Sequence, residues 1–363
     1  MQQERAAKIR VGLLGVTHPH ALAHLRTLEL LDEVESVAVW DEDDAVVDRL
    51  INENREKVET TIDTLDHLLN RADVPIVYCL GANNRNADLI IRAAGVGKHI
   101  ITEKPVAENS REIERTVAAV RRAGVHMEVC YTWRFNPVAR DIRSMIQNGV
   151  LGKLMSVEAR MVTSQVHFRD PFHWLFNKSI AGGGILSWLG CHWIDLVKYV
   201  TDDEVETVSA MTDTLNGAAI DVEDTAAVVM QMKSRALATL HAGYLLPQSD
   251  SGYMNASYDT YLSFRGLNGN ISWYPTEPEK SVIVESVAPV WHNAPRRELR
   301  YSMAETEAYG GRYGQDFVRQ FIRSAMRKDP APASGENALR VMQIIEAAYE
   351  SSDTGRTVKV RDQ

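Results

Sequence analysis

Short apolar runs separated by amphipathic stretches fill the first third of the chain. Positions 8–14, 34–40, 76–80, 99–102 and 126–130 read as strands, and helical periodicity recurs over 20–31, 45–54, 87–94 and 110–123. Runs that stay apolar rather than alternate are strands buried on both faces, and helices between them supply the crossovers. The pattern therefore predicts βαβ units and a doubly wound parallel sheet. Gly95, Gly97 and Gly124 stand at helix-to-strand turns, as helix C-caps do.

The middle of the chain changes character. Strand-like segments rich in Val, Thr and Tyr follow one another at 153–162, 205–214, 224–232, 236–246, 256–264, 270–273 and 281–287, with a turn at Gly266, Asn268 and Gly269. Few helices separate them, so a second, α+β domain with a mostly antiparallel sheet is expected. Helical pattern returns at 314–327 and 335–351, the latter with Ser334 as N-cap, before a short strand at 357–360. The expected division is 1–130 and 131–363, with the C-terminal helices packing back toward the first domain.

Composition narrows the class. A chain of 363 residues is long for one core, and 45% hydrophobic with 25% charged residues is globular composition. The formal net charge is −9, with Lys and Arg scattered, which argues against a nucleic-acid partner. Cys79, Cys130 and Cys191 lie far apart in apolar stretches, as buried free thiols of a reducing cytoplasm do. The N-terminus lacks a signal-peptide core, and no apolar run is read as approaching about 18 residues, so no membrane association is expected.

The first strand runs into Gly12-Leu-Leu-Gly15-Val-Thr17-His18-Pro19-His20 and then a helix. A glycine there lets the chain turn tightly, and the helix start offers N–H groups and partial positive charge to a pyrophosphate. Of the glycine fingerprint only Gly15 is in place; Thr17 and His20 hold the other two positions. Asp41 follows the second strand, where an acid accepts hydrogen bonds from the adenosine ribose. With Glu42, Asp43 and Asp44 beside it, it would repel a 2′-phosphate, so NAD is expected over NADP. These acids equally suit the next helix's N-terminus. His20 and His24 are one helical turn apart, but no carboxylate or cysteine adjoins them in sequence. They are read with His18 as polar groups facing phosphate or substrate, and no metal site is expected.

Two further segments carry a family resemblance. One is Lys98-His-Ile-Ile-Thr-Glu103-Lys104-Pro105; the other is Gly182-Gly183-Gly184-Ile-Leu-Ser-Trp188-Leu-Gly190-Cys-His192-Trp-Ile-Asp195. Together with Arg134-Phe-Asn-Pro137, Asn148-Gly-Val-Leu-Gly152 and the ending Ser334-Gly-Glu-Asn to Gly355-Arg-Thr-Val, they resemble the Gfo/Idh/MocA oxidoreductases, in order and over nearly the whole chain. The resemblance implies a Rossmann domain, a second domain with a large open-faced sheet, and hydride transfer between a nicotinamide and a sugar, cyclitol or related metabolite. It implies Lys104 near the nicotinamide and reacting oxygen, His192 as the catalytic histidine, and Asn83 and Glu103 among the cofactor contacts. It further implies a homodimer or homotetramer formed through the open sheet. An ammonium at a strand's C-terminal end suits a developing alkoxide, and imidazole suits a proton acceptor. Lys104 could instead be a snorkelling surface lysine, and His192 a core histidine. Arg134, Arg169, Trp174, Trp188 and Asp195 are candidate substrate contacts.

The chain departs from the family at two places. Trp188 stands where the family usually has an aspartate, and the segment after the fourth strand keeps only Asn83 of the usual Thr-Pro-Asn and following His. An indole in that position either faces an apolar or acceptor part of the substrate or fills the domain junction. The glycine run either brings backbone close to the nicotinamide or forms a mobile loop. Two alternatives to dehydrogenation belong to the same fold: NAD-retaining glycoside cleavage or elimination, and a non-catalytic sensor.

Overall fold

The computed structural model describes residues 8–51, 56–249, 256–277, 279–327 and 333–361. It divides into two compact units, Met1–Phe135 with Ala304–Leu339, and Asn136–Met303 with Arg340–Gln363.

The first unit holds six parallel strands: β1 (Ile9–Leu14), β2 (Val34–Trp40), β3 (Val58–Thr61), β4 (Ile76–Cys79), β5 (His99–Thr102) and β6 (Met127–Val129). Their order is β3-β2-β1-β4-β5-β6, and every pairing is parallel. Helices α1 (Ala21–Glu29), α2 (Asp44–Ile51), α3 (Leu65–Leu69), α4 (Asn83–Gly95) and α5 (Ser110–Ala123) make the connections. The strand order reverses direction between β1 and β4, which creates the crevice where doubly wound sheets take their ligands. Leu13, Val37, Val39 and Tyr78 pack with Leu25 and Leu28 of α1 and with Phe317 and Phe321 of the helix Gly311–Arg327 in one core.

β3 and α3 are absent from the sequence reading because four and five residues are too short to show a period. α4 begins at Asn83, ahead of its apolar stretch, because its first turn is polar. The expected helix over 45–54 is helical as far as Ile51; residues 52–54 lie outside the described residues. Gly124 is a left-handed C-cap at φ 64°, whereas Gly95 is the last residue of α4 and has no positive φ.

The second unit is built on a nine-stranded sheet: β7 (Leu154–Ser164), β8 (Val205–Asp213), β9 (Thr225–Met232), β10 (Leu237–Leu246), β11 (Tyr258–Gly266), β12 (Gly269–Trp273), β13 (Ser281–Ser286), β14 (Arg296–Arg300) and β15 (Val358–Lys359). Its order is β14-β13-β12-β11-β7-β10-β9-β8-β15. Only β7 and β10 pair in parallel; the other neighbours are antiparallel. The Gly266–Gly269 pair closes the β11–β12 hairpin. Ala226, Val228 and Met230 alternate with outward residues on β9, as do Ala238, Leu240 and Ala242 on β10, so one sheet face is core. The opposite face carries Met211, Val229 and Leu237, all exposed. β14 escaped the sequence reading because it is Arg-Arg-Glu-Leu-Arg, charge being typical of an edge strand.

The helical stretch Lys178–Thr201 is, among the described residues, the one long and apolar enough to span a bilayer, contrary to the expectation that no such run exists. Of that apolar window 89% is buried within the protein, as a core helix requires.

Candidate active site

At the switch point Gly15 ends β1 with φ +65°. A Cβ on it would lie 2.9 Å from Leu89 Cδ1 and 3.2 Å from the Cα of Gly81, which follows β4, so both the backbone angle and the space demand glycine. Asp41, at the end of β2, accepts the Val16 N–H at 2.6 Å and the Asp43 N–H at 3.0 Å. It braces the glycine turn, and a carboxylate's remaining lone pairs stay available for ribose hydroxyls. The start of α1 has no side-chain cap and no acid in its first turn, which leaves it suited to an anion. Arg85, in the first turn of α4, is paired with Glu42 at 2.7 Å. These features fit a dinucleotide.

Glu103 and Lys104 follow β5 and are buried, Lys104 completely. The Glu103 carboxylate accepts from His20 Nδ1 at 3.0 Å, from His24 Nε2 at 2.6 Å and from the Lys104 N–H at 2.9 Å. The structure thus supplies the carboxylate that the sequence seemed to withhold from the histidines. His18 Nε2 lies 3.9 Å from the same group. Although burial opposes it, the histidines hold the Glu103 carboxyl well below its usual range. Burial drives His18 well below the usual imidazole range and His20 to about 4, so both are neutral at pH 7.

Two ligand trios, His18-His20-Glu103 and His24-Glu103-Cys130, bring donor atoms within 4.8 Å of one another. His18 Nδ1 accepts the His20 N–H at 3.1 Å, which puts the proton of neutral His18 on Nε2 and makes that atom a donor. Burial pushes the Cys130 thiol well up, away from thiolate. The geometry is that of a hydrogen-bond network around one carboxylate.

Asn86 was missed by the sequence reading. It sits three residues after Asn83, in the place of the family's usual histidine, and its amide donates to Thr102 Oγ1 at 2.8 Å and Val106 O at 2.9 Å. It thereby clamps the segment that carries Glu103 and Lys104. Asn83 is buried in the first turn of α4, and Thr17 is half-buried beyond Gly15. Arg134, proposed as a substrate contact, is buried in the first unit, where it donates to Asn337 Oδ1 at 3.4 Å and faces Glu128.

In the second unit His192 and Asp195 are buried on the helix Cys191–Thr201. Before it lies a π-helical turn, Leu186–Gly190, that contains Trp188. Such a turn holds an extra residue, so the four-residue spacing to His192 does not stack the two side chains as an α-turn would. Trp188 is 6% exposed and packs edge-on against Trp174, ring centres 6.3 Å apart.

The glycine run has a reason beyond the two expected. A Cβ on Gly183 would lie 2.0 Å from Tyr349 Oη, and one on Gly184 would lie 1.9 Å from Glu223 O. Glu223 accepts from Gly184 N–H at 2.7 Å, Leu186 N–H at 3.0 Å and Tyr349 Oη at 2.9 Å. Glycine is there so that Glu223 and Tyr349 can anchor the backbone leading to His192. Nothing in the local sequence signals Glu223, because its partners are distant along the chain.

Residues 9–131 match the sequence model of an oxidoreductase family with an NAD-binding Rossmann fold, and residues 139–272 match that of the GFO/IDH/MocA C-terminal domain. The chain is 26% identical over 360 residues to the myo-inositol 2-dehydrogenase of Thermotoga maritima, covering 98% of this chain and 99% of that one. It is 24% identical to the inositol 2-dehydrogenase of Rhizobium meliloti, with 97% and 99% covered. Among solved structures, levoglucosan dehydrogenase in complex with NADH and levoglucosan superposes with a TM-score of 0.83 at 21% identity, covering 98% of this chain and 100% of that one. An oxidoreductase domain protein from Kribbella flavida gives 0.85 at 20%, with 98% and 100% covered.

Proposed function

Because the chain belongs to the GFO/IDH/MocA oxidoreductase family, we propose that it oxidises a CH–OH carbon of a sugar, cyclitol or related hydroxylated metabolite with NAD. The observation that carries this reading is a fully buried Lys104 side chain at the C-terminal end of β5, its backbone N–H held by the ionised Glu103. A lysine at the ligand-binding end of a doubly wound sheet suits negative charge that develops on a reacting oxygen.

When bound, NAD supplies the hydride acceptor. The start of α1 and the Gly15 turn would hold its pyrophosphate, and Asp41 would take the adenosine ribose hydroxyls. In the first unit Lys104 would serve as the donor to a substrate oxygen, stabilising it as its proton departs. In the second unit His192 carries the imidazole, a group suited to accept a proton near neutral pH. Engagement of Arg85 by Glu42 and the acids around Asp41 favour NAD over NADP.

The exposed apolar side chains of β8 to β10 support a homodimer or homotetramer through that sheet face, and three free buried cysteines suit the reducing cytoplasm. Light scattering at micromolar concentration tests this; a strict monomer refutes it. The test of function is a screen of sugars, polyols and cyclitols for NADH formation, with mass spectrometry of copurifying cofactor. NADH production from a member of the panel is the expected result. Tightly retained NAD with no NADH from any member would replace this reading with transient-oxidation chemistry.

A further inference from the structure

Arg169 is a cation in search of an anion. It follows β7 in the loop that leads to the glycine run, and its guanidinium lies over the Tyr244 ring, 5.2 Å from the ring centre. It donates to Thr163 Oγ1 at 3.4 Å and shares a hydrogen bond with Tyr258, while its buried Nε finds no acceptor. Among the described residues no carboxylate lies within 4.0 Å of it. The acids near it are otherwise engaged: the Asp224 carboxylate accepts from the Leu215 and Asn216 N–H groups. Asp170 turns to the Phe172 N–H at 2.9 Å, and Glu223 holds Gly184, Leu186 and Tyr349. A guanidinium stays charged at any working pH and has five donors; here two hydroxyls and an aromatic face answer it. Half-buried charge without a counter-ion is the exception in folded proteins.

Its place in the second unit gives that charge a use. β7 and β10 run parallel, so Arg169, just past β7, and Tyr244, near the end of β10, sit at the same end of the sheet. Tyr258, at the start of the antiparallel β11, sits there too. The Tyr244 N–H donates to Asp224 O at 2.8 Å, next to the Glu223 that anchors the backbone leading to His192. Tyr244 also meets Phe176, which shares a helical turn with Trp174, the neighbour of Trp188. Arg169 thus belongs to the packed assembly that positions the His192 helix.

We propose that Arg169 binds a carboxylate of the substrate, so that the preferred substrates are hydroxy acids of the uronate or aldonate kind rather than neutral polyols. This rests on the oxidoreductase reading above and narrows it. A single guanidinium balances one negative charge; a phosphate dianion would call for a second cation, and this cluster adds only hydroxyls, aromatic rings and the acid Glu223.

The test pairs C4–C7 uronates and aldonates with their methyl esters, with a hexose 6-phosphate as a dianion control, and follows NADH formation. In the wild type each oxidised acid should exceed its ester at least about tenfold in kcat/KM, mainly through KM, as a charge-assisted hydrogen bond provides. Arg169→Met should bring the acid-to-ester ratio toward one. Arg169→Lys, which keeps the charge but not the fork, should retain part of it and covers the case where the Met variant fails to fold. An acid-to-ester ratio near one in the wild type, a ratio unchanged in both variants, or preference for the phosphate ester overturns the assignment. If no alcohol of either kind yields NADH, the oxidoreductase reading fails instead. Calorimetry of acid against ester on NAD-loaded wild type and Arg169→Met then still reads the carboxylate site, and equal binding of the two refutes it.

Discussion

Acidification should loosen the first unit, and His20 is one group that makes it do so. Burial lowers its pKa from 6.5 to about 4 in the folded protein, so between those values the unfolded chain takes up a proton that the folded chain refuses. Stability therefore rises with pH across this window and is lost as pH falls from about 6.5 toward 4. At about 1.36 kcal/mol per pK unit, the full window is worth about 3.4 kcal/mol, of which about 2 kcal/mol has gone by about pH 5. His18, lowered further by burial, acts in the same direction. Glu103 adds little slope above about pH 5; its depressed folded pKa removes stability mainly below that, in the same direction. His20→Gln keeps an amide donor toward Glu103 and removes the titration. The assay is hydrogen exchange of the β1 and β4 peptides at pH 7 and pH 5, corrected for intrinsic rates, which reads the opening free energy of this core. The wild type should lose about 2 kcal/mol more than His20→Gln over that interval. Equal losses in the two proteins would show that His20 is not held neutral by burial, and the account of the Glu103 network would fall with it.

Lys104→Met and His192→Ala should each lower turnover roughly 10²–10⁴-fold on whichever substrate is found, with NAD affinity by calorimetry little changed; near-normal turnover in either variant removes that residue from the chemistry. Asp41→Ala should narrow the preference for NAD over NADP and also lower the melting temperature, because the Val16 N–H loses its partner at a cost of about 1–3 kcal/mol. A wild type that prefers NADP in the same titration contradicts the assignment. Gly184→Ala should unfold or strongly destabilise the second unit in a thermal melt, since the added Cβ meets the Glu223 backbone at 1.9 Å; a melting temperature within a degree of wild type refutes the close-approach explanation.

The sequence alone determined the parallel sheet, the antiparallel sheet, and the positions of Gly15 and Asp41 at the ends of their strands. These follow from signals that are local along the chain: uninterrupted apolar runs, alternation and turn glycines; Glu103, Lys104 and His192 were singled out by the family resemblance. Segments without such a signal stayed hidden, among them β3 and α3, which are too short, and β14, which is charged. The tertiary structure decided what the polar residues do. His20 and His24 meet Glu103 only because the fold brings the start of α1 beside the residue that follows β5, a contact between segments about eighty residues apart. In the same way Glu223 and Tyr349 give the glycine run its reason, and Tyr244 gives Arg169 its seat. The π-turn at Leu186–Gly190 sets how Trp188 lies relative to His192, which a four-residue separation in sequence does not reveal. Hydrophobic period records which face of an element is buried. The partner of a buried charge is set by which elements the fold brings together, and no local pattern encodes that.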